Sequence, residues 1–313
     1  MLTTELETNV VLPAEQWSPL AQAHRQRICA YTDPLIALHK RGIQHPVYDF
    51  LFSYYYLSAG ALKRWHPGVG TIIANPDEHT AAPQAGTKFY RQVPTSKGLP
   101  HGGWTVDVAD FVQQRSRLLD FASRLLPATE ARPATLSCFG LHEWAMAYRS
   151  DTHGIRHADV PLRLGADGTD EVVESHKISC SHYDAFRFYA PEAREKNQLQ
   201  PTRDTMVEME QPGCLHANMD LYKWATKLIP AISSSLVADC FELACDIRVV
   251  DMQASPYDLA AWGFEPICIE TAEGKAQYVQ AQRAFSERAQ VLRRRLIDAI
   301  EQLSRSELSY TAT

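Results

Sequence analysis

Residues 107–126 read DVADFVQQRSRLLDFASRLL. Val108, Phe111, Val112, Leu118, Leu119, Ala122, Leu125 and Leu126 recur at steps of three and four. A helix turns all eight to one broad apolar face and leaves the arginines and glutamines outside. A strand would divide the same residues between its two sides. Working outward, the same periodicity predicts helices over 14–43, opening after Pro13, and over the aromatic stretch 46–65, ending at His66-Pro67-Gly68. Further helices are expected at 215–229, 235–250 and 272–304, the last with Tyr278, Ala281, Phe285, Leu292, Leu296, Ile300 and Leu303 along one side. Residues 66–105 hold several Pro and Gly and read as a long loop or a small sheet, and short strands are expected at 171–180 and around Pro266–Glu270. The fold class is therefore mainly α: a single multi-helix domain over residues 1–313, with an irregular or small-sheet insertion at 66–105.

Composition narrows the function classes. With 45% apolar and 22% charged residues in 313, the chain can bury a large core, which excludes global disorder. Its formal charge is −6. Proteins that grip duplex DNA neutralise phosphates with a basic face, so the charge does not support DNA as a partner, although it leaves the option open. The one dense basic run, Arg293-Arg294-Arg295, falls inside a helix and is expected to be a solvated face. Seven cysteines without CxxC spacing give no zinc ribbon or disulfide framework. The N-terminal stretch lacks the basic and apolar regions of a signal peptide, and no apolar run approaches the roughly 18 residues of a membrane span. A cytoplasmic protein without a membrane partner is expected.

Six of the twelve histidines lie between His142 and His216. In Glu174–Tyr189 (ESHKISCSHYDAFRFY), an extended chain would put His176, Ile178, Cys180, His182, Asp184, Phe186 and Phe188 on one side. Titratable groups set in an apolar row are costly to bury unless they are paired or bind something, so they mark a candidate site. In Cys138–Arg149 (CFGLHEWAMAYR), His142 and Glu143 are adjacent and point about 100° apart on a helix, so only one is expected to enter a given pocket. In Gln211–Lys227 (QPGCLHANMDLYKWATK), His216, Asp220, Lys223 and Lys227 form one stripe at steps of four, three and four. Asp239, Glu242 and Asp246 follow at steps of three and four on the next helix. Facing His216 and Asp220, they would build a bundle-type carboxylate–histidine metal site. Arg64–Gly70 contains a Pro-Gly-Val-Gly turn of the kind used in phosphate-binding hairpins, but the β-branched run after it does not continue as a helix.

The blocks Cys138–Arg149, Ser181–Phe188, Glu210–Lys227, Leu236–Asp246 and Met252–Leu259 (MQASPYDL) resemble a family of bacterial proteins labelled 3-methyladenine DNA glycosylase, and the resemblance runs from about Pro46 to Arg295. It implies an N-glycosidase acting on a purine linkage, in DNA or in a free nucleoside or nucleotide. Such an enzyme stabilises an oxocarbenium-like sugar with a carboxylate, activates water, and stacks the leaving base. The candidates for catalysis are Asp184, His182 and Glu143. The candidates for substrate binding are Trp144, Tyr148, His176, Arg187, His216, Asp220 and Trp224. That reading requires no cofactor. Its rival is a helical His/carboxylate metalloenzyme, a non-haem iron oxidoreductase or a metal-dependent hydrolase, using Fe, Mn or Zn. The expected ligand in either case is a small molecule, nucleobase-containing in the first.

Overall fold

A computed structural model describes residues 9–311, and side chains as far as Arg305. The chain is mainly helical with one small sheet, as expected. Its helices are α1 (Ala14–His39), α2 (Asp49–Tyr54), α3 (Ala59–Leu62), α4 (Val108–Ala131), α5 (Leu141–Ala147) and α6 (Ser150–His153). They continue with α7 (Gly165–Ser175), α8 (Tyr183–Phe186), α9 (Met206–Met209), α10 (Leu215–Lys227), α11 (Ser234–Gln253) and α12 (Ala272–Thr311).

The periodic segment at 107–126 forms α4. The Asp107 carboxylate caps it by accepting from the Asp110 amide at 3.0 Å, and Phe111, Val112, Leu119, Ala122, Leu125 and Leu126 are buried. It packs along α12, which in turn packs on α10 and α11. This layer encloses α10: ten of its thirteen residues are buried. Arg293 corrects the expectation of a solvated basic run. It is 0% exposed and donates to Asn218 Oδ1 at 2.7 Å, fastening α12 to the outer side of α10. Its neighbours Arg294 and Arg295 do face outward, paired with Glu130 and Asp239.

The insertion supplies three strands of a four-stranded sheet, and the fourth precedes it. Strands β1 (Val10–Leu12), β2 (Thr71–Ala74), β3 (Tyr90–Val93) and β4 (Gly103–Val106) take the order β1-β2-β4-β3. β1 runs parallel to β2 and the other pairings are antiparallel, with Ile73 opposite Trp104 and Gln92 opposite Trp104. Trp17 of α1 donates its indole N–H to Ala74 O at 3.0 Å, tying the sheet to the helices. The Pro-Gly-Val-Gly turn serves the same junction. Gly68 takes φ +93° where a Cβ would stand 3.0 Å from the Ser233 amide nitrogen, at the start of α11.

Three local expectations are corrected. The 46–65 helix breaks into α2 and α3 because Tyr56 turns left-handed (φ 54°) and Ser58 caps a new start. Residues 165–175 are helical, since Thr169, Val172 and Val173 bury at helical rather than alternating spacing. Residues 267–270 form no strand. No helix among the described residues is long and apolar enough to cross a membrane.

Candidate functional site

The inward side of α10 carries His216, Asp220 and Lys223, and two polar clusters meet along it. The first joins α5, α10 and α11. His142 donates its Nε2 proton to Asp251 Oδ1 at 2.8 Å. Arg248 Nη1 donates to Asp251 Oδ2 at 2.8 Å and to Glu143 Oε1 at 2.9 Å. His142, Glu143, His216 and Asp251 are all buried, and each offers one ligand atom within 4.8 Å of the others. His142 and Glu143 therefore enter one pocket together, contrary to the expectation for adjacent helical residues. The two side chains leave the first turn of α5 in different directions and are joined through α11, where Asp251 accepts from His142 and Arg248, one turn away, donates to Glu143.

The second cluster joins α8 and α10. Lys223 Nζ donates to both Asp184 Oδ2 and Asp220 Oδ2 at 2.7 Å, and Tyr55 donates to Asp220 Oδ1 at 3.0 Å. His182, 1% exposed, stands with Nδ1 3.4 Å from Glu210 Oε1 and Nε2 3.6 Å from Asp220 Oδ2. Neither of its ring nitrogens makes a hydrogen bond, and neither does His216 Nδ1. His216 links the clusters: its ring meets His142 edge-on at 4.5 Å and stacks on His182 at 5.6 Å.

Charge explains the titration. Five carboxyl groups, on Glu143, Asp184, Glu210, Asp220 and Asp251, face three permanent cations, Arg248, Lys223 and the outlying Arg187. Burial opposes a charge on His142, but the Asp251 carboxylate overcomes it and lifts the ring to about 9. Burial likewise opposes His182, which Glu210 and Asp220 raise to about 9. Burial and the charge on His142 hold His216 well below its ordinary value. Burial acts against ionisation of Asp251 and Asp220, yet His142 and Lys223 respectively keep them below the usual carboxylate range. Glu143 is raised by burial, with Arg248 pulling the other way. The ends of the imidazole row hold protons and its middle does not.

Other expected site residues lie elsewhere. His176 leaves the row because it sits at the C-terminal end of α7, where its Nδ1 donates to Val172 O at 2.8 Å. Trp144 and Tyr148 are core side chains. Trp144 donates to Ala254 O at 2.8 Å and Tyr148 to Glu174 Oε1 at 2.7 Å. Trp224 packs on Phe121. Arg187 pairs with Asp184, Nε to Oδ1 3.1 Å, and Lys227 is exposed. The proposed Asp239–Glu242–Asp246 site does not form. Those acids sit on the outward side of α11, held by Arg27, Arg295 and Arg288. Residues overlooked in the sequence are Arg248, Asp251, Glu210 and Tyr55. Arg248 and Asp251 carried a readable signal, two opposite charges three apart on a strongly apolar helix.

Two clefts flank this seam. One of about 590 Å3 is lined by residues including Met146, Arg156, Phe188 and Tyr189. The other, about 350 Å3, includes Asp49, Phe50, Arg156, His157 and Asp159. Comparison with known proteins finds no matching family model, no matching curated protein and no matching solved structure.

Proposed function

We propose that this chain is a metal-dependent hydrolase whose divalent ion is held by His142, His216 and Asp251, with Glu143 beside them as proton carrier. One observation carries the reading: four buried ligand-bearing side chains from three helices converge within 4.8 Å. The chemistry of the donors agrees, since two imidazoles and carboxylate suit Fe2+, Mn2+ or Zn2+. His142 Nε2 and Asp251 Oδ1 are 2.8 Å apart. That is a hydrogen-bonded separation, and displacing the shared proton would free both atoms for one ion. Of the two imidazole ligands only His142 holds a proton, His216 being kept neutral, so binding displaces one proton and a divalent ion takes its place.

The ion would supply Lewis acidity toward water and the bond to be split. In the hydrolysis, the water oxygen bonds to the acyl or phosphoryl centre, the bond to the leaving group breaks, and one proton passes to that group. Glu143, raised by burial, takes the proton from water and returns it. Arg248 orients Glu143 and Asp251 through its two hydrogen bonds. Lys223 already satisfies Asp184 and Asp220, so the second cluster is assigned to proton supply through His182.

The test is metal analysis of protein loaded anaerobically with Mn2+, Fe2+ or Zn2+ and dialysed. About one retained ion per chain is expected, with a proton released on binding and retention lost in His216→Gln. No retained ion and no proton release would refute the proposal. The N-glycosidase implied by the resemblance is the second reading, favoured by the His182–Asp220 imidazole–carboxylate pair. Release of base from a methylated purine nucleoside in the presence of a chelator would support it instead. Oxygen consumption by the iron-loaded protein would move the reaction to the oxidoreductase class.

A further inference from the structure

We infer that the 590 Å3 cleft receives the anionic group of a small organic substrate, a phosphate monoester or a carboxylate, with Arg156 as the residue that binds it. The identification of this ligand as a substrate rests on the hydrolase reading; the cleft itself does not. Three guanidinium groups and two rings alternate from the interior to the surface. Arg248 Cζ lies 4.3 Å from the Phe50 ring, and Arg156 Cζ lies 5.3 Å from Phe50 and 5.1 Å from Phe188. Arg187 Cζ lies 4.4 Å from the same Phe188 ring. The two rings hold Arg156 in place by contact with its face, which leaves the N–H edge of the guanidinium available to an oxyanion.

The neighbouring arginines are committed. Arg149 pairs with Glu192, Arg163 with Glu270, Arg187 with Asp184 and Arg248 with Glu143 and Asp251. Arg156 makes no ion pair among the described residues. It is also the wall shared by both clefts, and these differ in sign. The smaller one includes Asp49 and Asp159, whereas no carboxylate residue lines the larger, where His153 is already paired with Glu192 at 2.8 Å and Arg156 is the cation left over. An anion is accepted in the larger and repelled in the smaller.

The cleft reaches the site through covalent neighbours. Met146 lies three residues after Glu143, on the same side of α5. His157, next to Arg156, accepts from Arg248 Nη2 at 3.5 Å. A volume of about 590 Å3 exceeds what a free inorganic ion fills and suits a small organic molecule.

The experiment is calorimetric titration of the full chain, metal-free and metal-loaded, with phenyl phosphate, benzoate and inorganic phosphate. Saturable binding of phenyl phosphate or benzoate is expected, whichever binds naming the anion, with inorganic phosphate weaker. Arg156→Gln should lower that affinity about tenfold or more, leaving the melting temperature and the retained ion unchanged. Equal affinity in wild type and Arg156→Gln, or no saturable binding of any probe, overturns the assignment. The metal-free arm separates the two proposals. Binding there that Arg156→Gln removes supports the cleft even where no ion is retained. An ion retained without anion binding defeats the cleft alone.

Discussion

Replacing Arg248 by Met is the sharpest test of how the buried charges are balanced. The side chain is 1% exposed, and its Nη1 alone bridges Glu143 and Asp251. Met fills much of the volume but leaves two carboxylates facing His142 as their remaining nearby cation. Removing one partner of a buried ion pair costs about 3–5 kcal/mol. For a chain of this length that corresponds to a melting point lower by roughly 5–8 °C, from about 2.1 cal/mol/K of unfolding entropy per residue. The metal reading adds a second half. With the guanidinium gone, the site is more negative and takes a divalent ion more strongly. Mn2+ at about a hundredfold over its dissociation constant should return about 2.7 kcal/mol. Differential scanning calorimetry of wild type and variant, with chelator and with Mn2+, measures both halves. An unchanged melting point in chelator refutes the assigned charge balance. A lowered melting point that Mn2+ does not raise refutes the ion.

Other outcomes follow from the same geometry. His142 and His182 are raised to about 9 from 6.5, so their contribution to stability is full below pH 6.5 and lost as pH rises through 9. The metal-free protein should therefore melt several degrees lower at pH 9 than at pH 6.5, and the loaded protein should lose less, as read by circular dichroism melts at both pH values. Asp184→Asn removes the charged partner of Lys223 and Arg187 and should cost on the order of 1–3 kcal/mol without changing the retained ion. Loss of the ion in that variant, read by metal analysis, would place it in the His182–Asp184–Asp220 cluster instead. Gly68→Ala brings a Cβ to 3.0 Å from Ser233 N at φ +93°. Urea denaturation should show a loss of about 1–3 kcal/mol, and an unchanged midpoint would remove that turn from the junction between sheet and helices.

The helices were legible where an apolar face repeats over many turns, as in residues 108–131 and 272–303. Short elements were not. Val172 and Val173 satisfy a buried strand or a helix equally well, and only the packing of α7 against α5 decides between them. The candidate site was half legible for a related reason. Spacing puts Asp239, Glu242 and Asp246 on one side of α11 and Arg248 with Asp251 on another, but spacing alone does not say which side faces inward. The surrounding composition does. Leu243, Ala244 and Ile247 bury beside Arg248, whereas three outside arginines meet the acids. His182 and Asp184 were brought together for a different reason from the one expected. The chain reaches them through an extended loop that ends as His182 starts α8, not through a strand.

The enclosure of α10 has a consequence for amide exchange and for traffic. A helix with ten of thirteen residues buried and Arg293 pinned to its outer side opens only with the whole molecule, so its amides should be among the slowest to exchange. The His216 imidazole it carries cannot travel to meet a ligand. Admission must fall to the neighbouring segment, where Arg149 (φ 53°) and Gly154 (φ 71°) bracket the single turn of α6 just before Arg156. Its amides are held by the bonds of one turn, such as Gly154 N to Ser150 O, so they should exchange far sooner than those of α10.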